Sequence, residues 1–485
     1  MSHNKGLSVW QLTMLALGTV VGGSFFLGSS IAIKAAGPAV ILSYILGGGL
    51  VYLILYSLSE MTVANPAPGS FRTYCENMYG PIAGFIVGWV YWTGLILAMS
   101  SEAIAVFVLL KRWLPDFSLP VLGSLVIMTV TIINLMGVES LSKLEGSLAA
   151  VKLLALIGFI ITAVLLITGL IPGQTAKGAG ALLTEDLLPG GIGSIAGSML
   201  IVMFTYAGFE IIGLAASETD KPNETIPKAI TFTVLGLVSL YLLTITLILP
   251  LVPTAVLNEE TSPMVVALVV NGQTWAANII NTILVIAIIS TMLAATFGIA
   301  RMIRSLADDG HAPRWLKDSG DIPYRGIVFS GLAMLAGLGL GFILPRQVYI
   351  FLISSGGFSL LFVYVIILIT HIKFRKINGC PPDGKCKLPG YPYTSLLALV
   401  SLISIIISMP LIPGQGSGLI AGLLLVAIYL LIYLGREFSS KKFKKDLQYF
   451  SLDRTYKLQY ETEFAEEIDS KKEDVPTEYN NPRNK

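Results

Sequence analysis

The sequence predicts an all-α integral membrane protein, and three observations carry that prediction. Of the 485 residues, 54% are hydrophobic and only 13% are charged, about half the charged share of an ordinary soluble domain. About twelve apolar runs are long enough to cross a bilayer, which takes about 20 mostly apolar residues. The first and the sixth of these runs are interrupted by glycine and polar residues.

The predicted spans follow one another without an intervening soluble domain. They are Val9–Ile33, Val40–Val63, Ile82–Leu110, Pro120–Gly137, Ser147–Ile171, Ser194–Ala216, Ala229–Val252, Asn278–Ile303, Ile327–Leu344, Gln347–Thr370, Thr394–Ile412 and Gly418–Leu434. The first span is longer than the apolar core of a signal peptide and lacks a strongly basic leader, so we expect it to remain in the mature protein. We therefore predict a transmembrane domain over residues 1–434 and a charged cytoplasmic tail over residues 435–485, whose composition is typical of disorder.

Basic residues predict the orientation, because Lys and Arg concentrate in loops on the cytoplasmic side. With the N-terminus inside, fifteen Lys and Arg of the loops and helix ends lie on the inner face and five on the outer face. The protein is thus predicted to be a multi-pass protein of the cell membrane with both termini in the cytoplasm. The net charge of +2 gives no indication of nucleic-acid binding, because the basic residues are spread along one membrane face.

The three cysteines, Cys75, Cys380 and Cys386, all fall on the predicted inner side, where a reducing compartment disfavours disulfides. Cys380 and Cys386 flank a short turn, and a metal site there would need further ligands. A plain loop is therefore the favoured interpretation over a metal site.

The interruption of the first span consists of Gly22, Gly23 and Ser24. Interrupted helices, one in each half of a membrane protein, indicate a substrate site at the bilayer midplane. Free N–H groups at the start of a half-helix suit a carboxylate, and free carbonyls at the end of one suit an ammonium group. Close helix packing is the alternative role of such small residues, and the sequence leaves both open.

Ionisable residues inside spans are the second kind of candidate, because their cost in a bilayer makes each a functional hypothesis. Glu210 lies beside Gly208 in the interrupted sixth span, Lys152 lies in the fifth, and Glu102 lies towards the predicted outer end of the third. Lys152 has an alternative, in which its side chain snorkels to the inner surface. A buried amine or carboxyl can take up and release a proton, so we predict that these three acid and amine groups couple transport to protons.

The sequence contains no G-x-x-x-x-G-K-[ST] loop of ATP-driven pumps. It also offers no nucleophile and base pair and no metal cluster that would indicate an enzyme. Secondary transport without a cofactor or metal is therefore the predicted class of function.

Four stretches carry a family resemblance: GTVVGGSFFLGSSIAIKAAGP, PAPGSF followed by YGPIAGFIVGWVYW, GFEIIGLAASETDKPNETIPKAI, and ARMIRSLADDGHAP. Together they resemble the amino acid permeases of the amino acid, polyamine and organocation (APC) superfamily, and most of all its bacterial amino acid transporter family. The resemblance implies five plus five helices in inverted repeat, with helices 1 and 6 broken, followed by two further helices.

The resemblance also implies roles for particular residues. It places the substrate carboxylate on Gly22, Gly23 and Ser24, where relatives usually have Gly, Ser or Thr, and Gly. It places the substrate amine on the carbonyls of Phe204 and Ala207. Phe204 would also be an aromatic gate, and Lys152 would replace a sodium ion. The remaining predicted contacts with the substrate are from Tyr206, Gly208, Thr291, Ala294, Ser354 and Ser355.

What the resemblance implies is an importer of amino acids, driven by proton symport with alternating access in the lipid bilayer. The lack of a surplus acid favours neutral amino acids, although Glu102 would reverse this if it faced the side-chain pocket. Two alternatives stay open: an exchanger of amino acids or polyamines, and a sensor that binds an amino acid without moving it. The sequence does not fix the oligomeric state.

Overall fold

The structure is a computed structural model, and all regular structure in its described residues is helical. It describes residues 7–67, 69–136, 138–172, 174–214, 219, 221–258, 261–318, 320, 322–340, 348–379 and 388–439. The predicted loop with Cys380 and Cys386 lies outside the described residues, as does the tail from residue 440.

The α-helices are numbered here in chain order. They are α1 (Val9–Val20), α2 (Gly23–Phe26), α3 (Gly28–Ala36), α4 (Val40–Ala64), α5 (Phe71–Tyr79), α6 (Pro81–Leu110), α7 (Leu119–Asn134), α8 (Val138–Thr168), α9 (Ile192–Thr205), α10 (Ile211–Leu214), α11 (Pro222–Ile248), α12 (Pro263–Val270), α13 (Thr274–Asp308), α14 (Tyr324–Gly339), α15 (Val348–Asn378), α16 (Tyr393–Ser408) and α17 (Gly416–Ser439). The residues up to Tyr429 form one compact unit, and those from Leu430 form a second, of which the structure describes the helical stretch to Ser439.

Among the described residues, 8 helical stretches are long and apolar enough to cross a membrane. One of them, Gly23–Ala64, joins α2, α3 and α4, and the shorter helices α1, α7, α9 and α14 are apolar as well. Helical residues occur in each of the predicted spans. The protein is therefore a multi-pass membrane protein, while the total of twelve helices and the five-plus-five repeat remain predictions.

Helix α8 has one buried face and one exposed apolar face. Its buried face carries Lys152, Leu156 and Phe159, at the three- and four-residue spacing that places side chains on one face of a helix. On the opposite face Leu154 is 65% exposed and Ile161 is 55% exposed. Exposed apolar surface on this scale needs a nonpolar cover, which a bilayer supplies.

Both predicted interruptions are present. Helix α1 ends at Val20 because Val21 and Gly22 take extended dihedrals, with ψ of 98° and −164°. The chain becomes helical again at Gly23, and α2 runs on into α3 after a single residue, Leu27. The first predicted span is thus two helical pieces separated by a two-residue extended segment.

The second interruption separates α9 from α10. The segment from Tyr206 to Glu210 is a turn, and helix resumes at Ile211. Gly208 has φ +105°, a region that favours glycine because it has no Cβ. This glycine therefore permits the turn that ends α9 in the middle of its predicted span.

Candidate functional site

The two helix breaks lie against each other. A Cβ on Gly208 would come within 3.2 Å of the Thr19 carbonyl oxygen, close to the end of α1. The turn after α9 therefore packs directly on the last turn of α1, and both this close approach and the positive φ of Gly208 favour glycine. The two interruptions therefore lie in one region inside the protein.

Lys152 reaches the first break from α8. Its ammonium group donates hydrogen bonds to the Gly18 carbonyl and, across 2.7 Å, to Thr291 Oγ1. The side chain is 1% exposed, so the alternative in which it snorkels to the inner surface is wrong. The amine instead stabilises the carbonyl end of α1, where the helix dipole is negative.

Thr291 of α13 connects this lysine to the extended segment. Its hydroxyl lies 2.9 Å from the Val21 carbonyl, to which it can donate while it accepts from Lys152. A Cβ on Gly22 would approach the Thr291 side chain to 2.9 Å. Thr291 was predicted to line a side-chain pocket. In the structure its hydroxyl bonds to Lys152 and to the main chain of the first break.

Glu102 of α6 lies on the other side of the first break. Its Oε2 accepts from the Gly23 amide at 2.7 Å, and its Oε1 accepts from the Ser24 amide at 2.9 Å. The side chain is buried, and a Cβ on Gly23 would overlap its carboxylate. A protein carboxylate thus occupies the two amides predicted to bind a substrate carboxylate.

Glu210 belongs to the second break. Its carboxylate accepts hydrogen bonds from Tyr91 at 3.0 Å, from Tyr364 at 3.2 Å and from the Gly208 amide at 3.1 Å. Tyr91 lies on α6 and Tyr364 on α15, so Glu210 ties the turn to two long helices. Each donor lowers the cost of burying the charge.

The two aromatic residues predicted at the second break, Phe204 and Tyr206, point to different places. Phe204 is buried beside Gly356 of α15, where a Cβ would lie 3.6 Å from its ring. Its carbonyl accepts from the Ala207 amide at 3.1 Å. Tyr206 turns away and donates to the Tyr44 carbonyl at 3.0 Å, within a cluster of aromatic rings. The structure therefore brings Phe204 and Ala207 together at the break and places Tyr206 in packing.

The predicted pocket residues on α13 and α15 are buried. Ala294 lies one turn after Thr291 on α13, and Ser354 and Ser355 are adjacent on α15. Neither serine hydroxyl has a hydrogen-bond partner within the described residues. A Cβ on Gly418 would overlap Ser354, so Ser354 faces the start of α17.

Sequence reasoning missed two charged clusters away from the breaks. In the first, Glu60 at the end of α4 accepts from Arg375 Nε and Nη2 at 2.6 Å each, from the Leu388 amide at 2.5 Å, and pairs with His371 at 2.6 Å. Glu60 was visible as an acid inside a predicted apolar span, and that was the signal available in the sequence.

The second cluster joins α5 to the end of α13. Arg72 is 1% exposed and pairs with Asp309 and, at 2.7 Å, with Glu76, which also meets His311 at 3.0 Å. Burial raises the pKa of Glu76, but the His311 hydrogen bond and the charges of His311 and Arg72 outweigh it and leave this pKa below its ordinary value. Burial raises the pKa of the neighbouring Cys75 thiol to about 11.

The two breaks bring charged side chains into contact with main-chain groups. At the first break, consecutive amides accommodate a carboxylate, and an ammonium group lies on the carbonyl side of the same break. At the second, an acid lies beside the turn. The two breaks therefore place a carboxylate on main-chain amides and an ammonium group on a main-chain carbonyl, and both of these side chains are buried.

Comparison with known proteins gives consistent matches along nearly the whole chain. The family model for amino acid permeases matches residues 11–448. An uncharacterized amino acid permease of Bacillus subtilis, YvbW, is 33% identical over 426 residues, which are 87% of this chain and 94% of that protein. The gamma-aminobutyric acid permease of the same organism is 31% identical, over 90% of this chain and 95% of the relative. The aromatic amino acid transport protein AroP of Corynebacterium glutamicum is 31% identical, over 83% and 89%.

Proposed function

This chain belongs to the amino acid permease family, and we propose that it imports amino acids with uncharged side chains across the cell membrane, by proton symport with alternating access. The observation that carries the proposal is the meeting of two broken helices, with Gly208 of one packed on Thr19 of the other. Interrupted helices at such a meeting point place main-chain groups outside the regular helical hydrogen bonds, and a zwitterion in a dry site needs such partners.

The substrate carboxylate is proposed to bind the amides of Gly23 and Ser24, where the extended Gly22 interrupts the helix. These amides already hold a carboxylate, that of Glu102, in the present state. The substrate amine is proposed to bind the carbonyls of Phe204 and Ala207. The relatives named as gamma-aminobutyric acid and aromatic amino acid transporters support a substrate that carries both groups.

Lys152 is the proposed link between the proton and the conformation. As an ammonium group it holds Gly18 and, through Thr291, Val21. A neutral amine has one donor fewer and no charge, so its hold on the α1 end weakens. Loss of the proton to the cytoplasm would therefore weaken the hydrogen bonds that hold the end of α1. The weaker contact would favour a change of conformation in the transport cycle.

The direct test is uptake by the purified full-length protein in proteoliposomes. Each of the twenty amino acids and gamma-aminobutyric acid would compete against a labelled amino acid mixture, with and without an imposed inward proton gradient. We expect accumulation that follows the gradient. Uptake that needs internal substrate and ignores the gradient would identify an exchanger, and binding without accumulation would identify a sensor.

The coupling role has its own test in Lys152→Ala. This variant should lose accumulation driven by the proton gradient and retain much of its equilibrium binding. The matched control is Leu154→Ala, on the exposed face of the same helix, which should transport like the wild type. Full gradient-driven uptake by Lys152→Ala would remove the lysine from the coupling mechanism.

A further inference from the structure

Glu102 occupies main-chain donors that the proposed function assigns to the substrate. Each of its two oxygens accepts from one of two consecutive amides, on Gly23 and Ser24. The half-helix that begins at Gly23 continues through α3, so these amides lie at its positive end. Glu102 is therefore arranged on this site as a free carboxylate would be.

A substrate carboxylate and Glu102 cannot bind these amides together. A Cβ on Gly23 would overlap Glu102 Oε2 and approach Ile288 and Ala105 to 3.1 and 3.2 Å. The space over the amides is thus filled by the glutamate and by the apolar side chains around it. Two carboxylates in one buried site would also repel each other strongly.

Protonation provides a way to exchange one carboxylate for the other. A carboxylate accepts through both oxygens, whereas a carboxylic acid is neutral and carries a donor on one of them. The neutral acid lacks the negative charge that the two amides and the positive helix end favour, so the protonated side chain loses much of its preference for this position. The charged or titratable groups within electrostatic reach of Glu102 are Lys152 on α8 and Tyr241 on α11.

We propose that Glu102 is a resident competitor of the substrate, which holds the Gly23 and Ser24 amides when ionised and yields them to the substrate carboxylate when a proton binds it. The inference rests on the proposed function, because it needs the substrate carboxylate to use these amides. It adds a second proton-dependent step, in which substrate and proton enter the site together. Release of the proton to the cytoplasm lets Glu102 return and expel the substrate.

The test is equilibrium binding of a tritiated mixture of the twenty amino acids to full-length protein in nanodiscs, from pH 5 to pH 8. Wild-type affinity should fall as pH rises, because the ionised competitor returns. Glu102→Gln should bind about tenfold tighter than wild type at pH 8, a difference of about 1.4 kcal/mol, with a flat pH profile. The amide of glutamine presents a donor to one of the N–H groups and competes poorly.

Glu102→Asp is the matched variant, since it keeps the charge and should keep the pH dependence of binding. Size-exclusion profiles of both variants establish that they are folded. A Glu102→Gln protein with wild-type affinity at pH 8 and the wild-type pH profile would overturn the inference while leaving amino acid transport intact. If neither wild type nor Glu102→Gln binds the mixture at any pH, the proposed function fails, and this inference fails with it.

Discussion

The ammonium group of Lys152 donates to the hydroxyl of Thr291 across 2.7 Å, although 139 residues separate them. The same hydroxyl lies 2.9 Å from the Val21 carbonyl. One threonine thus links the Lys152 amine on α8 to the extended segment that interrupts the first span.

Replacing Thr291 tests this relay. Thr291→Val keeps the shape but removes the hydroxyl, and a hydrogen bond to a charged group is worth about 1.5–3 kcal/mol. We expect gradient-driven uptake to fall about tenfold or more, as measured by initial rates in proteoliposomes. Thr291→Ser, which retains the hydroxyl, is the control and should keep most of the activity. Equal rates for both variants would show that the hydroxyl is dispensable.

The sequence was informative about where the helices break and where charge is buried. Gly22, Gly23 and Ser24 interrupt an apolar run, and Gly208 interrupts another, so both breaks were visible as local violations of a spanning pattern. Such features depend on neighbours along the chain, which a sequence displays.

The partners of these groups could not be predicted, because they are set by tertiary packing. Glu102 meets amides 78 and 79 residues earlier in the chain, and no local pattern specifies that pairing. Its predicted position near the outer end of a span gave no hint of a contact with the first break. Tyr206, likewise, was predicted to contact substrate, and only its packing against Tyr44 shows that its hydroxyl is already bonded.

Gly23 provides a second prediction. In Gly23→Ala the new methyl group would overlap Glu102 and displace it from the amides. We expect binding of the labelled amino acid mixture to fall at least about tenfold, since the methyl also fills the substrate's place. Gly28→Ala is the control, because its Cβ meets Ile201 at an ordinary 3.5 Å. Unchanged affinity in Gly23→Ala would return this glycine to a packing role.

The bonds around Glu210 predict a graded effect on stability. Tyr364→Phe removes one donor from its buried carboxylate and leaves Tyr91 and the Gly208 amide in place. A hydrogen bond to a charged group contributes about 1.5–3 kcal/mol, so we expect unfolding to be easier by about this amount, seen as a lower Tm in detergent. The double variant Tyr91→Phe/Tyr364→Phe should lower the Tm further. Tm values equal to the wild type in both variants would contradict this account.

Glu60 gives a larger expected effect on stability. Removing one partner of a buried ion pair costs about 3–5 kcal/mol, and Glu60→Ala would leave the Arg375 guanidinium and His371 without their shared carboxylate. The Tm should fall well below that of Glu60→Gln, which retains an acceptor. A Glu60→Ala protein as stable as Glu60→Gln would show that the hydrogen-bond acceptor at this position contributes little.

Cys75 supplies a reporter for the neighbouring cluster. Because burial raises the pKa of its thiol to about 11, the thiolate is scarce at pH 8 and becomes abundant only as pH approaches that value. In a Cys380→Ser/Cys386→Ser background, we expect maleimide to label Cys75 slowly in the native protein and rapidly once the protein is unfolded in a denaturing detergent. Adding Arg72→Gln should speed native labelling, since Arg72 joins α5 to Asp309. Rapid labelling without Arg72→Gln would show that the thiol is accessible.

Helix α8 carries Lys152 on its buried face and Leu154 on its exposed face, and this difference disfavours rotation of the helix. Successive residues advance about 100° around a helix axis, so rolling α8 by one position would swing the Lys152 amine towards hydrocarbon and draw Leu154 inwards. A charge there is costly. Rotation of α8 about its own axis is therefore disfavoured, whereas a tilt or a slide that keeps Lys152 towards the interior avoids this cost.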